Sequence, residues 1–353
     1  MRTFSITRNR DGPILGELVR RYGAAVDAEL RRVISDNPLP LYDMLRYHMG
    51  WVDENGRPSD AATGKRLRPV LCLVSCEAVG GNVEAALPAA AALELVHNFT
   101  LVHDDVMDED HERRHRRTVW SRWGSAQAIN AGDLLYAVAI VSMSHLDQRG
   151  VSAENAVKAI RRLEQTCIQV IEGQYLDMEF ETRLDVSPDE YLEMISKKSA
   201  ALISFPMEVG ALVGGADEEL QLAFAEVGRA TGMAFQIRDD ILGVWGRQEL
   251  TGKPVGSDIR RKKKSLPILM TFEAARSSNR AFLRKVYERP GLPCKAVTEI
   301  LRLMDALEIR KSVEALASKY ADAAKSSIQE LPVEARAKDE LTRLVDFIVS
   351  RDS

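Results

Sequence analysis

Residues 95–108 read Leu-Val-His-Asn-Phe-Thr-Leu-Val-His-Asp-Asp-Val-Met-Asp, a largely apolar run that ends in three aspartates. Asp104 and Asp108 are four residues apart, so their carboxylates share one face of a helix. Carboxylates this close repel each other unless a cation or a basic group neutralises their charge. Oxygen ligands with open positions suit Mg²⁺, which takes its other ligands from water and phosphate groups. The stretch therefore predicts a helix that ends in a metal-binding motif.

A second acidic pair, Asp239-Asp240, lies far downstream in the segment Phe235-Gln-Ile-Arg-Asp-Asp-Ile-Leu-Gly243. This segment is also apolar and helix-forming. Two such helices that face one another would hold a metal-bound diphosphate between them.

The apolar pattern is helical along almost the whole chain. Apolar residues recur at three- and four-residue steps at Leu18, Val19, Tyr22, Val26, Leu30 and Val33, and again at Val297, Ile300, Leu301, Met304 and Leu307. Polar or Gly- and Pro-rich breaks fall at residues 53–59, 214–217 and 247–257. Ser187-Pro-Asp-Glu190 has the pattern of a capping box. With no composition shift to mark a boundary, residues 1–353 are predicted to form a single all-α domain, a large helical bundle around a central active-site cavity.

The composition is that of a globular protein with ample core. Of 353 residues, 45% are apolar and 28% charged, and the net charge of −4 gives no global attraction to nucleic acid. The N-terminus shows no apolar segment typical of a secretory signal, and uncharged runs such as residues 134–144 are too short to span a bilayer. Cys72 and Cys76, at i,i+4 in an apolar segment, are predicted to be core residues, and the cysteines form no disulfide framework. We therefore expect a cytoplasmic protein without stable membrane insertion.

Three basic segments accompany the acidic motifs. Gly64-Lys-Arg-Leu-Arg-Pro69 precedes an apolar helix, where cations oppose the helix dipole unless an anion binds there. Arg113-Arg114 follows Asp108 closely, and arginine binds phosphate in a bidentate manner. The run 260–264 follows Gly252-Lys253. Each could alone be an exposed basic loop; beside the acidic motifs, phosphate binding is the better interpretation.

The segment His111-Glu-Arg-Arg-His115 matches the zinc-protease pattern H-E-x-x-H. A zinc protease needs this pattern inside an amphipathic helix, with a further ligand downstream. The two central arginines and the aspartates just upstream argue against zinc.

These motifs together resemble the trans-isoprenyl diphosphate synthase (polyprenyl synthetase) family, over residues 64–267 and in the order of that family. The matching segments are Gly64–Pro69, Leu95–Asp108, Gly132-Asp133, Gly173–Asp177, Lys198-Ser199, Phe235–Asp240 and Gly252 onward to Lys263. The resemblance implies a Mg²⁺-dependent prenyltransferase that joins isopentenyl diphosphate head to tail to an allylic diphosphate (dimethylallyl, geranyl or farnesyl). It also implies a homodimer and a cluster of about three Mg²⁺ ions on the bound diphosphate.

The resemblance implies specific roles for individual residues. The isopentenyl diphosphate head group would bind Lys65, Arg68, His97 and Arg114. Asp104, Asp108 and Asp239 would be direct metal ligands, with Asp105 and Asp240 supporting them. The allylic diphosphate would meet the cations Arg113, Lys198 and Lys263, the residues Gln174, Asp177, Ser199 and Gln236, and also Lys253.

Product length would be set beneath the first motif. Thr100 lies one turn before Asp104, and Phe99 flanks it. A small residue at position 100 resembles the geranylgeranyl-type arrangement, with farnesyl diphosphate as the alternative product. The chain departs from the commonest family pattern at Gly243, where the second motif lacks its usual third Asp, and at Arg113-Arg-His-Arg-Arg117.

Two rival functions belong to other classes. A class I terpene cyclase would need neither the basic segment 64–69 nor Arg113-Arg114 for a second diphosphate. An inactive regulatory subunit of a prenyl synthase would usually lose acidic ligands, whereas five of the six Asp positions are present.

Overall fold

The computed structural model describes residues 13–59, 64, 66–248, 254–289 and 291–350. In chain order the first helices and strands are α1 (Pro13–Ile34), α2 (Pro40–His48), α3 (Leu67–Ala78), α4 (Val83–Met107), β1 (Glu112–Arg113), β2 (Arg116–Arg117), α5 (Val119–Trp123), α6 (Ser125–Ser144), α7 (Ala153–Thr182) and α8 (Pro188–Ile195). A π-helical turn (Ser196–Ala200) follows, and then α9 (Ala201–Val213), α10 (Glu218–Trp245), α11 (Ser257–Arg260), α12 (Leu266–Ala274), α13 (Ser277–Glu288), α14 (Cys294–Ala306), α15 (Ile309–Glu330) and α16 (Ala335–Val349). The predicted all-α class is confirmed.

The chain divides into two compact units. Unit 1 comprises residues 1–165, 205–222 and 333–337, and unit 2 comprises residues 166–204, 223–332 and 338–353. The single domain expected from the sequence stays a prediction, as does its central cavity.

Helix α4 is the central helix of unit 1. It begins at Asn82, whose side chain accepts a hydrogen bond from the backbone N–H of Glu84 at 3.0 Å. Its alanine-rich first half is buried on every side, and Ser142 of α6 donates to the carbonyl of Pro88 at 2.8 Å. Because its small residues permit close packing, α4 runs through the core and carries its acidic end to a fixed position.

The apolar periodicity correctly identified the first helix. Leu18, Tyr22, Val26 and Leu30 are all buried on one face of α1. Cys72 and Cys76 are buried and free, as predicted for core residues. The break at 214–217 separates α9 from α10.

Unit 2 has its own core, which includes Ile237 of α10, Ile268 of α12 and Ile300 of α14. The capping box predicted at the start of α8 is confirmed: Ser187 Oγ accepts from Glu190 N, and the Glu190 carboxylate accepts from Ser187 N at 2.8 Å. Helix α8 is therefore fixed at its first turn, ahead of the site residues that follow it.

Among the described residues, α4 and α6 are long and apolar enough to cross a membrane by length and composition. In α4, 83% of the most apolar 18-residue window is buried inside the protein, compared with 44% in α6. Helix α4 is thus a core helix of unit 1, whereas α6 leaves apolar side chains exposed.

Candidate active site

Unit 1 gathers a cluster of basic side chains around the start of α3. Arg68, on the first turn of α3, has a buried Nε without a hydrogen-bond partner, and His97 on α4 has a buried Nδ1 without one. Burial lowers the pKa of Arg68 to about 10. Burial and the charges of Arg68, Arg114 and Arg113 hold the pKa of His97 well below its usual value. Buried nitrogens without partners among positive charges indicate a site for an anion.

Gly64 allows Arg114 to join this cluster. Its φ is +87°, and a Cβ at this position would lie 2.7 Å from Nη2 of Arg114. Only glycine adopts this backbone and leaves room for the guanidinium. Glycine at position 64 therefore lets Arg114 lie directly against the start of the basic segment 64–69.

Arg66, at the N-cap of α3, differs from Arg68 because its guanidinium is paired with carboxylates. Its guanidinium donates to Glu94 of α4 at 2.9 Å and to Asp27 of α1 at 2.8 Å. Arg66 is only 5% exposed and Glu94 only 2%. Since a buried carboxylate needs a partner, Arg66 pairs within the core, and it is not among the residues that the family resemblance assigns to the diphosphate.

A further histidine, His48 at the end of α2, belongs to the same basic cluster. Its Nε2 is buried without a hydrogen-bond partner. Burial, Arg114 and Arg113 lower the pKa of His48 to about 3, opposed by a hydrogen bond to Asn98. Sequence reasoning missed His48 because it lies in no motif and about 50 residues from His97.

The segment His111–His115 forms part of a β-hairpin rather than a helix. Strands β1 and β2 pair antiparallel, and Arg114 and His115 form the turn with positive φ. The H-E-x-x-H zinc geometry requires a helix, so the decision against a zinc protease is supported.

The first acidic motif lies at the end of α4. Asp105 is 1% exposed, and its Oδ1 accepts from Nε and Nη2 of Arg113, each at 2.7 Å. Its Oδ2 is buried without a hydrogen-bond partner. Burial raises the pKa of Asp105 to about 6 despite Arg113. Asp104 is half-buried and Asp108, the C-cap, is exposed.

Phe99 and Thr100 lie one turn before this motif. Phe99 is 8% exposed and packs edge-on against His103, with ring centroids 5.0 Å apart, and against Tyr136 at 5.4 Å. Thr100 is half-buried, and its hydroxyl donates to the His97 carbonyl at 2.8 Å. The two residues therefore present a ring and a small side chain next to each other on α4.

Unit 2 holds the second acidic motif within a hydrogen-bond network. Asp240 accepts from Tyr191 Oη at 2.7 Å, from Leu266 N at 3.1 Å and from Gln236 Nε2 at 3.2 Å. Burial raises the pKa of Asp240 to about 6. Asp239, by contrast, is exposed. Tyr191 was missed from the sequence, where it reads as an ordinary apolar position of an amphipathic helix.

Lys263 is surrounded by carboxylates. Burial acts to lower its pKa, but Asp240, Asp177, Asp258 and Asp239 together raise that pKa above its ordinary value. The neighbouring residues Lys262 and Lys264 instead donate to backbone carbonyls. Lys264 donates to the carbonyls of residues 180 and 181 at the end of α7, and Lys262 donates to those of residues 287 and 289.

The π-helical turn carries Lys198 and Ser199. Lys198 Nζ lies 2.5 Å from Asp177 of α7, and Ser199 Oγ donates to Gln236 Oε1 of α10 at 2.7 Å. A Cβ on Gly173 would lie 2.4 Å from the backbone N of Lys198, so glycine lets α7 approach this turn. Gln174, half-buried, is the next residue of α7.

Gly243 leaves its space to another carboxylate. A Cβ at position 243 would lie 2.1 Å from Oδ2 of Asp258. Asp258, from α11, therefore occupies the volume of a side chain four residues after Asp239. The missing third Asp of the second motif coincides with a carboxylate delivered from another element.

Two of the residues assigned to diphosphate binding, Lys65 and Lys253, lie outside the described residues. Within the described part of the chain, no group of three or more His, Cys, Asp or Glu side chains is placed to hold a metal ion by itself. The remaining assigned residues fall into the unit 1 and unit 2 clusters described above.

Comparison with known proteins decides the family. The family model for polyprenyl synthetase matches residues 51–304. This chain belongs to the polyprenyl synthetase family. It is 38% identical over 351 residues to the (2E,6E)-farnesyl diphosphate synthase of Mycobacterium bovis, covering 97% of this chain and 93% of that protein. It is 41% identical over 274 residues to the geranylgeranyl diphosphate synthase of Mycobacterium tuberculosis, covering 78% of this chain and 77% of that protein.

The solved structures agree with this assignment. The crystal structure of a polyprenyl synthetase from Streptomyces coelicolor A3(2) matches with a TM-score of 0.87 and 35% identity, covering 95% of this chain and 99% of that one. The predicted family, fold class and enzyme class are thus confirmed. The relatives include both farnesyl and geranylgeranyl synthases, so they do not select a product.

Replacing Gly173 with Ala should damage unit 2, because the new Cβ would overlap backbone atoms of Lys198. We expect Gly173→Ala to lower the free energy of unfolding by about 1–3 kcal/mol, measured by urea denaturation. Gly23→Ala is the matched control: its Cβ would lie 3.4 Å from Val19 Cγ1, an ordinary contact, and alanine should stabilise α1 by about 0.5–1 kcal/mol. Equal stability changes in the two variants would contradict the predicted overlap.

Proposed function

We propose that this prenyltransferase binds the diphosphate of isopentenyl diphosphate at the basic cluster of unit 1. The observation that carries the proposal is the set of buried, unpartnered nitrogens on Arg68 and His97. Their neighbours, Arg113 and Arg114, add positive charge but no proton acceptor. A diphosphate supplies both the negative charge and the acceptor oxygens that these groups lack. Lys65 would join them.

Asp104, Asp108 and Asp239 would hold Mg²⁺, with Asp105 and Asp240 supporting them. The buried, unpartnered Oδ2 of Asp105 fits a cation nearby, and the all-oxygen donor set suits Mg²⁺. When bound, Mg²⁺ supplies neutralising charge to a departing diphosphate.

The allylic diphosphate would be held by Arg113, Lys198 and Lys263, with Gln174, Asp177, Ser199 and Gln236 shaping that site and Lys253 adding a further cation. Asp105 aims the Arg113 guanidinium, and Asp177 does the same for the Lys198 ammonium. These pairs restrict long side chains before the substrate arrives.

The reaction needs no protein nucleophile. The allylic C–O bond breaks, and the electron pair leaves with the diphosphate. The double bond of isopentenyl diphosphate forms the new C–C bond to the allylic carbon. A proton is then lost from the adjacent carbon to the released diphosphate. The cations named above stabilise the negative charge that develops on the leaving group.

A regulatory subunit without activity is the second candidate from another class. No specific feature of the site favours it, because the two acidic motifs retain five of six Asp positions and the basic cluster retains its charged residues. The cytoplasmic location inferred from the cysteines stays a prediction.

Changing one motif aspartate should abolish condensation. We expect Asp104→Asn and Asp239→Asn each to lower kcat for isopentenyl diphosphate consumption by roughly a hundredfold or more. The control Asp305→Asn changes an exposed carboxylate of α14 and should retain wild-type kcat. The mechanism is wrong if both motif variants turn over at the wild-type rate.

We further propose that the product is geranylgeranyl diphosphate, with farnesyl diphosphate as the alternative. The packing of Phe99 against His103 and Tyr136 supports a rigid floor beneath the first motif, and Thr100 leaves space beside it.

Phe99→Ala should therefore lengthen the product by at least one isoprene unit, measured by sizing the prenyl alcohols after dephosphorylation. Removing the ring opens space that the growing chain can enter. Thr100→Phe tests the converse and should shorten the product. An unchanged product distribution in Phe99→Ala would remove this residue from chain-length control.

A homodimer is also proposed. Apolar side chains along α7 in unit 2 are exposed: Ile168 and Ile171 at 56% each, and Tyr175 at 67%. In unit 1, α6 exposes Val141 at 53%. Apolar stripes of this kind on a protein of this size typically mark a subunit interface.

Light scattering after gel filtration tests the dimer. Wild type should have about twice the chain mass of 39.3 kDa, and Ile171→Glu should shift it toward the monomer because a charge would be buried. Leu39→Glu changes an equally exposed apolar residue before α2 and should leave the dimer intact. A monomeric wild type would refute the proposal.

A further inference from the structure

His48 is a half-buried base that the motifs of the chain do not account for. It is the last residue of α2, and its Nε2 is buried without a partner. The position of α2 is fixed by its neighbour Tyr47, whose hydroxyl donates to the carbonyl of Arg117 at 2.9 Å and whose carbonyl accepts from Arg116 at 3.0 Å. The ring is thus held beside the hairpin that carries Arg113 and Arg114.

The hydrogen bonds of Asn98 fix the tautomer of His48. Asn98 Nδ2 donates to the Glu94 carbonyl at 2.7 Å and to Glu94 Oε1 at 3.3 Å, which uses both of its hydrogens. Its Oδ1 remains to accept from His48, whose Nε2 has no partner. The neutral ring therefore carries its proton on Nδ1, and Nε2 is a bare lone pair.

The charges that act most strongly on His48 are positive: Arg113, Arg114 and Arg116 lie on or beside the hairpin. The neutral ring of His97 lies near it on α4. On α4 the acidic Glu94 is paired with Arg66 and accepts a hydrogen bond from Asn98. Burial and these cations hold the pKa of His48 near 3, so the ring is neutral at physiological pH.

We propose that His48 is a further ligand of the isopentenyl diphosphate head group, and that its Nε2 gains a proton when the diphosphate binds. The inference rests on the proposed function of the unit 1 cluster. A bare Nε2 would repel a phosphate oxygen, whereas a protonated Nε2 donates a charge-assisted hydrogen bond to it. The diphosphate reverses the sign of the local field, which favours the imidazolium that the arginines alone disfavour. Its place at the C-terminus of α2 also suits a cation.

The consequence is a linkage between binding and pH. The pKa of His48 is low in the free protein and higher in the complex, so binding takes up a proton between those two values. Affinity for isopentenyl diphosphate should then rise as pH falls through the pKa of the complex. The allylic diphosphate acts on His48 only through the charge of Arg113, so its affinity should depend on His48 less than that of isopentenyl diphosphate does.

Calorimetry of isopentenyl diphosphate, without an allylic primer, tests the proposal in buffers of different ionisation enthalpy. The titration is done at several pH values from about 6 to 8, so that the ligand's own second ionisation, near a pKa of about 6, is common to wild type and variant and cancels in their difference. Wild type should take up protons. His48→Gln keeps a neutral donor but cannot become charged, so it should take up fewer protons, by up to about one, and bind about tenfold more weakly. Equal proton uptake and equal Kd in wild type and His48→Gln would overturn the proposal.

Three further measurements separate the possible failures. His145→Gln, which changes a histidine paired with Arg32 at the end of α6, should match wild type in proton uptake and Kd. A wild type that neither binds nor consumes isopentenyl diphosphate would refute the proposed function itself. Binding of methyl diphosphate, a monoester with the same ionisations, with the same proton uptake would show that His48 contacts the head group and not the prenyl tail.

A measurement on the wild type alone removes any dependence on how His48→Gln folds. Nitrogen NMR of the histidine side chains distinguishes neutral rings from imidazolium. On addition of isopentenyl diphosphate, at least one of the six histidines should change from neutral to charged. If every ring keeps its protonation state in the complex, the proposal is wrong.

Discussion

The buried ion pair between Arg66 and Glu94 is the interaction on which the basic half of the site depends. It joins the start of α3 to the middle of α4, and Arg66 extends the link to Asp27 of α1. Removing either partner would leave a buried charge unanswered, which is strongly destabilising. Because Arg66 is the ion-pair partner of Glu94, the neighbouring Arg68 and His97 keep buried nitrogens for a ligand. The same carboxylate holds Asn98 in the orientation that fixes His48.

In both clusters, burial favours the uncharged form of a titratable side chain. In unit 1, burial favours neutral His48 and His97, and in unit 2 it favours protonated Asp240. These three side chains are thus biased toward their uncharged forms until an oppositely charged species arrives. Lys263 illustrates the alternative, since surrounding carboxylates keep it charged in spite of burial. Keeping these side chains uncharged before a ligand binds matters, because uncompensated buried charge would destabilise each unit.

Sequence reasoning succeeded where the signal was local. Helical periodicity identified α1, the capping box located the start of α8, and the spacing of Asp104 and Asp108 placed both at the end of α4. It failed where function arises from contacts between distant segments. His48 and Tyr191 gain their roles from Asn98 and Asp240, which are far away in the chain. The role of Arg66 was likewise unreadable from the sequence, because the three cations of segment 64–69 look alike until a buried acid pairs with one of them.

The π-helical turn at residues 196–200 has a consequence for how this site can evolve. The wider π-helical turn contains about one more residue than an α-helical turn. That extra residue determines the direction in which Lys198 and Ser199 project relative to α8. Removing a single residue there would rotate everything that follows by about 100°. Lys198 would then leave Asp177, and Ser199 would leave Gln236, although every residue type was retained. This stretch should therefore accept substitutions far more readily than a change in length. A relative that has lost these two contacts would be recognised by a gap in the alignment at this turn and not by its residue identities.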